Sequence, residues 1–222
     1  MENKLKILIV DDHPSMIEGY KIILTYNTLG LEIEITPAYN CETAYKLILK
    51  NQFEIDYDLA FIDYTLPPYL EKNINNGQDL AILVQKHLPN TKVVILTSHT
   101  EAILLYDIVK NVAPQGLLVK SDFSADELLV AFEKIMLKEI YYSATVKQSI
   151  KDVLDNSLVL DKVNRLLILL LSQGIKTKNL PSYLNLSVSS IEKRKLNIRE
   201  HFNIENGRDE DIVREAKRLG LV

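Results

Sequence analysis

The 222-residue chain has a single cysteine and no apolar run long enough to span a membrane. Cys41 cannot form an intrachain disulfide, and nothing else in the sequence indicates export. The first residues hold only a short apolar run that ends in two acids, which fits a signal peptide poorly. A membrane helix needs about 18 consecutive apolar residues, and no run approaches that length. These absences predict a cytoplasmic chain without a membrane partner.

The charge is unevenly distributed along the chain. Residues 1–150 carry 13 Lys and Arg against 20 Asp and Glu, a net charge of −7, whereas residues 151–222 carry 13 against 10, a net charge of +3. An acidic first part and a mildly basic second part predict different partners for each. The basic excess is small, so it permits nucleic-acid binding without requiring it.

Short apolar runs alternate with helical patterns across the first part of the chain. Helices of about ten to fifteen residues between the runs indicate βαβ units, and therefore a doubly wound parallel sheet. Pro14 and Ser124 mark the starts of two of these helices. The predicted strands are Leu5–Val10, Leu31–Ile35, the run that ends at Asp63, Val93–Leu96 and Gly116–Val119.

Four of the predicted strands end in polar side chains. Asp11 and Asp12 follow the first strand, Asp63 ends the third, Thr97 follows the fourth and Lys120 follows the fifth. In a doubly wound sheet these ends converge on one crevice. Clustered carboxylates favour a hard divalent cation such as Mg²⁺, while a hydroxyl and an ammonium would neutralise the oxygens of a transferred phosphoryl group. The pattern predicts a phosphorylation site with Asp63 as the nucleophile.

Each of these residues, taken singly, also has an ordinary structural explanation. An acid at the end of a strand is more often a turn or helix cap than a reactive group. A threonine in that position suits a turn, and a lysine suits solvent. The functional interpretation therefore depends on the matched positions taken together.

The segments IVDDH, FIDYTLPP, VVILTSH and GLLVKSD, in this order and spacing, resemble the CheY-like receiver domain of bacterial two-component response regulators. The resemblance covers residues 5–140 and implies a (βα)5 flavodoxin-like fold in which a sensor histidine kinase phosphorylates Asp63. It also implies roles for the neighbouring residues: Mg²⁺ binding by Asp11, Asp12, Asp63 and the Thr65 carbonyl, a switch hydroxyl on Thr97, and a phosphate partner in Lys120.

Two features depart from the receiver pattern. The family usually has a glycine about eight residues after the phosphorylated aspartate, whereas Gly77 lies fourteen residues after Asp63. The lengthened loop is most simply a tolerated surface insertion, although it could gate the site or contact a kinase. Leu117 occupies the position three before the lysine, where the family usually has a tyrosine or phenylalanine whose rotation reports phosphorylation. The output coupling is therefore expected to differ.

The second part of the chain predicts a small all-α domain. Residues 144–157 are polar with mixed charges and predict a linker between a receiver over residues 1–143 and a second domain over residues 158–222. Asp161 and Thr177 predict helix starts. A turn at residues 185–187 leads to a helix up to about Phe202, and the two helices around that turn form a helix-turn-helix pattern. A last helix is predicted at about Asp209–Leu219.

The second helix of that pattern has an apolar face and a polar face. At about 100° per residue, Val188, Ile191, Ile198 and Phe202 fall within one arc and are predicted to pack inward. The opposite face is predicted to enter a DNA major groove, where Lys can read guanine and Asn adenine. The predicted DNA contacts are Ser189, Ser190, Lys193, Arg194 and Asn197, with Lys176 and Lys178 at phosphates.

Residues 158–222 resemble the LuxR-type helix-turn-helix of the same regulator class, through the hydrophobic skeleton, the turn at Gly174 and the core LS-x-x-x-I-E-x-R-K. The usual Thr-x-Arg-Glu opening is missing, and Pro181 replaces a common helix former. The combination predicts a transcription regulator rather than an enzyme, which dimerises when active and binds double-stranded DNA. Two alternatives stay open: a receiver whose helical domain contacts proteins, and an aspartate-dependent phosphatase that uses the same pocket.

Overall fold

The computed structural model describes residues 4–51, 57–122, 124–155, 161–202, 204, 207–219 and 221–222. The chain divides into two compact units. The first comprises Met1–His99 and Ile108–Thr145, and the second comprises Thr100–Asp107 and Val146–Val222.

Strands and helices alternate through the first two thirds of the chain. The strands form one parallel sheet in the order β2-β1-β3-β4-β5-β6. This confirms the predicted doubly wound sheet. The elements are β1 Leu5–Val10, α1 Pro14–Thr25, β2 Ile33–Ala38, α2 Cys41–Asn51, β3 Leu59–Asp63, α3 Gly77–His87, β4 Lys92–Thr97, α4 Ala102–Val112, β5 Gly116–Val119, α5 Ala125–Met136 and β6 Tyr141–Tyr142.

The register of the central strands brings the predicted site residues to one edge of the sheet. Val10 pairs with Ile62, Asp63 with Leu96, and Thr97 with Val119. Every residue of β3 is buried, as its continuous apolar run predicts for a strand covered on both faces. The polar residues that follow the apolar runs therefore emerge side by side at the carboxyl ends of the strands.

Two strands differ from the prediction. β2 is an edge strand that begins at Ile33, two residues later than predicted, and continues through Pro37 to Ala38. An edge strand tolerates proline because one side of its backbone has no ladder to complete. The sixth strand, β6, was not predicted. It has only two residues, which pair with Gly116 and Leu117, and two residues are too few to show a periodic pattern.

The rest of the chain is helical where the structure describes it. The helices are α6 Ala144–Asp155, α7 Lys162–Ser172, α8 Leu180–Leu184, α9 Val188–His201 and α10 Asp209–Arg218. Helix α6 occupies most of the predicted linker, whose last residues, 156 and 157, lie outside the described part, as do residues 158–160 of the predicted second domain. Across the described residues, no helix is both long and apolar enough to cross a membrane.

The helix starts follow the caps in the sequence, with one exception. The Asp161 side chain accepts from Asn164 N at 2.8 Å, and Ser187 Oγ accepts from Ser190 N at 3.2 Å. The prediction that Thr177 caps a helix is wrong. Its hydroxyl donates to Asp209 Oδ2 at 2.7 Å and accepts from Lys195 Nζ at 3.0 Å, so its oxygen is bound to an ammonium instead of a backbone N–H.

The core of the second unit includes three of the four predicted inward residues of α9, namely Ile191, Ile198 and Phe202. Val188 was predicted to pack inward but is 50% exposed. It is the first residue of α9, and helical side chains tilt towards the N-terminus, so its methyl groups extend past the end of the packed helix. Lys195 is buried instead, with Asp209 Oδ1 at 2.6 Å and Glu192 Oε1 at 3.0 Å from its ammonium.

Candidate functional site

The carboxyl edge of the sheet holds a cluster of one ammonium and two buried carboxylates. Lys120, directly after β5, has its Nζ 2.9 Å from Asp63 Oδ2 and 3.0 Å from Asp11 Oδ2. Asp63 is 4% exposed and Asp11 is 1% exposed. The structure therefore brings Asp11, Asp63 and Lys120 together, as the strand-end pattern predicted, although Asp11 and Lys120 are 109 positions apart in the sequence.

The surroundings of Asp63 disfavour the ionised form of its carboxyl. Burial raises the pKa of the Asp63 carboxyl, and the charge of Asp11 raises it further, while the Lys120 hydrogen bond and charge and the Thr65 amide oppose these effects only in part. Burial alone would lower the pKa of Lys120, but the hydrogen bonds and charges of Asp63 and Asp11 outweigh it and raise that pKa. One ammonium does not fully compensate the negative charge, so the site favours a further cation.

Asp11, Asp12 and His13 place ligand atoms within 4.8 Å of one another at the end of β1. His13 Nδ1 lies 2.8 Å from Asp12 Oδ1 and 3.3 Å from Asp11 Oδ1. Asp12 Oδ1 is buried and accepts no well-aligned hydrogen bond from the described residues. A buried oxygen of Asp12 close to the Asp11 carboxylate fits a hard divalent ion such as Mg²⁺.

Two threonines follow strand ends near this cluster: Thr97 ends β4, and Thr65 lies two residues after the end of β3. Thr97 is fully buried at the end of β4, its hydroxyl accepts from His99 N at 3.0 Å, and its carbonyl accepts from Lys120 N at 2.6 Å. The last of these bonds ties the proposed switch residue to the backbone of the lysine. Thr65 is exposed and its amide donates to the Asp63 carboxylate.

Gly77 packs directly against Asp63 despite the longer loop before it. A Cβ at Gly77 would lie 2.0 Å from the carbonyl oxygen of Asp63, and Gly77 N donates to Tyr64 O at 2.9 Å. The loop closes on itself through backbone bonds of 2.7 and 3.2 Å between Tyr69 and Ile74. The inserted residues therefore form a loop of their own. Gly77 still packs against Asp63, although it lies fourteen residues after Asp63 in the sequence.

Asp122, two residues after Lys120, is the centre of a hydrogen-bond network that the sequence did not predict. Asp122 Oδ2 accepts from Ser143 Oγ at 2.6 Å and from Thr145 N at 2.9 Å, and Asp122 Oδ1 accepts from Thr145 Oγ1 at 2.7 Å. Ser143 Oγ accepts in turn from Val119 N at 3.2 Å. The network joins the turn that carries Lys120 to the first residues of α6.

Leu117 is fully buried in β5, between β4 and β6. A buried leucine has no polar group to exchange between two hydrogen-bonding arrangements. The geometry therefore gives this position a packing role and offers no equivalent of the rotating aromatic ring.

The exposed face of α9 contains most of the predicted DNA contacts. Ser189, Ser190, Lys193 and Asn197 are exposed, as are Lys176 and Lys178 ahead of α8. Arg194 differs from them because it is half-buried, with its Nη1 bonded to Asp161 Oδ2 at 2.6 Å and to Asn164 Oδ1 at 2.9 Å.

Glu192, an acidic residue of α9, has two cationic neighbours. Its carboxylate lies 3.0 Å from Lys195 Nζ and 3.9 Å from Arg199 Nη2. Both cations also lie near Asp209 Oδ1, at 2.6 and 4.0 Å, so the two carboxylates share them.

Residues 7–133 match the family described as "Response regulator receiver domain". The chain belongs to this receiver family. The membership and the predicted fold agree, since the matched residues contain the whole doubly wound sheet except β6 and the first strand's opening residues.

Relatives resemble this receiver chain over nearly its full length. The oxygen regulatory protein NreC of Staphylococcus epidermidis strain RP62A is 26% identical over 216 residues, which cover 91% of this chain and 93% of NreC. NreC of Staphylococcus aureus strain JH9 is 25% identical over 206 residues, covering 87% and 89% respectively.

Solved response regulators share its fold. RcsB of Salmonella enterica serovar Typhimurium, bound to promoter rprA in the presence of the phosphomimetic BeF3⁻, has a TM-score of 0.60 and 17% identity, covering 97% of this chain and 99% of RcsB. A LuxR-family two-component response regulator from Aurantimonas sp. SI85-9A1 has a TM-score of 0.54 and 23% identity, covering 68% and 97%.

Proposed function

We propose that this receiver protein is a transcription regulator that a sensor histidine kinase phosphorylates on Asp63 and that binds double-stranded DNA through α9. The observation that carries the proposal is the Lys120 ammonium held between Asp63 and Asp11, beside the acidic pair, in a chain of the receiver family. The protein is thus a signalling protein that takes part in its own phosphoryl transfer. An external phosphoester is not its substrate.

In the proposed reaction, a carboxylate oxygen of Asp63 attacks the phosphorus of a phosphohistidine. An O–P bond forms as the P–N bond breaks, and the imidazole of the kinase leaves with the electron pair. Lys120 neutralises one oxygen of the transferred group, and the Thr97 hydroxyl donates to another. Mg²⁺, held by Asp11, Asp12, Asp63 and the Thr65 carbonyl, would neutralise the remaining charge when bound.

Phosphorylation would redistribute the hydrogen bonds of Lys120. The ammonium now serves two carboxylates, and an added phosphoryl group offers it more strongly charged oxygens. We propose that the resulting shift passes through the network of Asp122, Ser143 and Thr145 into α6. This route would take the place of the rotating aromatic ring, which is absent because the position holds Leu117. It would shift a pre-existing equilibrium between the inactive and active arrangements of the protein.

The exposed face of α9 is the proposed DNA-reading surface. Ser189, Ser190, Lys193 and Asn197 would contact base edges, while Lys176 and Lys178 would contact phosphates. Arg194 would join the phosphate contacts through the part of its guanidinium that does not bind Asp161 and Asn164. An active homodimer would match a two-fold symmetric DNA site. RcsB, whose fold resembles that of this chain, was solved bound to promoter rprA, and this supports DNA binding by this chain.

The proposed boundaries of function are a phosphoacceptor domain over residues 1–143, a linker over 144–157 and a DNA-binding domain over 158–222. We assign the protein to the cytoplasm on the basis of its proposed kinase and DNA partners.

The proposal is tested by selecting bound sites from random double-stranded DNA with the full chain, with and without a small acyl phosphate and Mg²⁺. We expect enrichment of one two-fold symmetric motif, stronger with the phosphodonor, and binding that weakens steeply with salt. No enriched motif and no salt dependence under either condition would favour a helical domain that contacts proteins.

A further inference from the structure

The Tyr20 hydroxyl is buried and has no hydrogen-bond partner among the residues that the structure describes. The side chain is 3% exposed and packs in the core between the sheet and helices α1 and α5. A buried polar group without a partner carries a desolvation cost, and each such group in a native protein requires a specific explanation. Phenylalanine would fill the same core position without that cost, so the hydroxyl itself calls for a role.

The side chain of Tyr20 points towards the proposed phosphorylation site. Helix α1 begins at Pro14, immediately after Asp11, Asp12 and His13. Side chains on an α-helix tilt towards its N-terminus, so the Tyr20 ring is directed to the end of α1 that carries the acidic pair. Tyr20 and Lys120 also line the same cavity, of about 210 Å³.

The hydroxyl remains protonated and can therefore donate a hydrogen bond. Burial raises the pKa of Tyr20 far above its ordinary value, and the charges of Asp11 and Asp63 raise it further, so both carboxylates act on the hydroxyl electrostatically. A neutral donor near two carboxylates is oriented towards negative charge.

We propose that Tyr20 is a positioning residue of the phosphoryl-transfer reaction, whose hydroxyl donates to the Asp11 carboxylate when Lys120 turns from Asp11 to the phosphoryl group. The proposal rests on the proposed function of Asp63. At present Lys120 Nζ donates to Asp11 Oδ2 at 3.0 Å. When the ammonium shifts to a phosphoryl oxygen, Asp11 loses this bond while it remains buried, and the Tyr20 hydroxyl replaces it. The carboxylate is thereby kept in its orientation through the transfer.

The test compares the full-length wild-type protein with Tyr20→Phe and Tyr26→Phe, all labelled with a small acyl phosphate and Mg²⁺. Tyr26 follows the same helix but is 72% exposed, so Tyr26→Phe is the matched control. We expect Tyr20→Phe to lower the labelling rate at saturating phosphodonor about tenfold, the effect of losing one hydrogen bond to a charged group. The half-saturating donor concentration should change little, and the unfolding midpoint should stay equal or rise. Tyr26→Phe should match the wild type.

Two results would overturn the role of Tyr20 and leave that of Asp63 untouched. One is labelling of Tyr20→Phe at the wild-type rate. The other is a fall in both the labelling rate and the unfolding midpoint of Tyr20→Phe, which would indicate a packing role. A wild-type protein that takes no label overturns the phosphoacceptor proposal, and the role of Tyr20 with it.

Discussion

Lys120 Nζ lies 2.9 Å from Asp63 Oδ2, and the same ammonium reaches Asp11 Oδ2 at 3.0 Å. Lys120 is 18% exposed at its side chain, and both carboxylates are almost fully buried, so solvent screens these contacts little. Under the proposed function, this ammonium would neutralise an oxygen of a phosphoryl group added to Asp63.

Replacing Lys120 with glutamine should lower the rate of Asp63 labelling by about 10²-fold, because a preorganised charge at the transferred group is lost. The measurement is the initial rate of phosphoryl incorporation from a small acyl phosphate. Lys21→Gln is the control, because Lys21 is an exposed lysine on α1 that pairs with Glu18 at 3.7 Å. Equal rates for Lys120→Gln and the wild type would contradict a role for this ammonium in the transfer.

Gly77→Ala should destabilise the receiver, because the added Cβ would lie 2.0 Å from the Asp63 carbonyl oxygen. We expect a loss of about 1–3 kcal/mol in the free energy of unfolding, typical of overpacking against a fixed backbone. The matched substitution is Gly19→Ala within α1, where a Cβ meets nothing within 4 Å. That variant should gain up to about 1 kcal/mol, since alanine is the better helix former. Denaturant titration measures both. Equal effects would show that Gly77 does not sit against Asp63.

These results show which features the sequence could predict. The strand ends were predictable because each apolar run stops at a polar residue, as at Val10–Asp11 and Val119–Lys120, and β1 and β5 have the predicted bounds. The lysine–aspartate contact followed from topology alone, since parallel strands converge at one edge.

Other features depend on tertiary contacts that no local pattern records. The position of Gly77 required the loop to fold out, which spacing alone could not show. The residue type of Lys195 gives no sign of burial, but the structure buries it with its ammonium 2.6 Å from Asp209, fourteen residues further along. Val188 is apolar and was predicted to pack inward, but it is exposed because it is the first residue of α9.

The stability of the second unit should depend on the ionisation of Asp209. Burial raises the pKa of its carboxyl, but hydrogen bonds from Lys195 and Thr177 and the charges of Lys195 and Arg199 outweigh this and hold the pKa below its ordinary 3.8. A carboxyl with a lowered folded-state pKa stabilises the fold above the unfolded-state pKa, and this contribution is lost as pH falls through the lower folded-state value.

Asp209→Asn should therefore cost about 1–3 kcal/mol at neutral pH, because it leaves the buried Lys195 ammonium without its closest carboxylate. The difference from the wild type should shrink as pH falls below about 4. The free energy of unfolding, measured at several pH values, tests this prediction. The control is Glu210→Gln, which removes an exposed acid next to Asp209 at the start of the same helix. A pH-independent difference would contradict the ionic role of Asp209.

The double substitution Lys193→Ala and Asn197→Ala should abolish specific DNA binding while leaving helical content unchanged. Both side chains are exposed on α9, and each base contact is worth about 1–3 kcal/mol, so affinity for a selected site should fall at least about 30-fold. Lys217→Ala on α10 removes one exposed lysine elsewhere and should weaken binding only slightly. Undiminished binding by the double variant would mean that another face of the domain reads DNA.

The most direct test of the account is the site of phosphorylation. Wild-type protein incubated with a small acyl phosphate and Mg²⁺ should gain the mass of one phosphoryl group, and Asp63→Asn should gain none. Asp58→Asn changes an exposed acid just before β3 and should be labelled like the wild type. Stoichiometric labelling of Asp63→Asn would contradict the assignment of Asp63 as the phosphoacceptor.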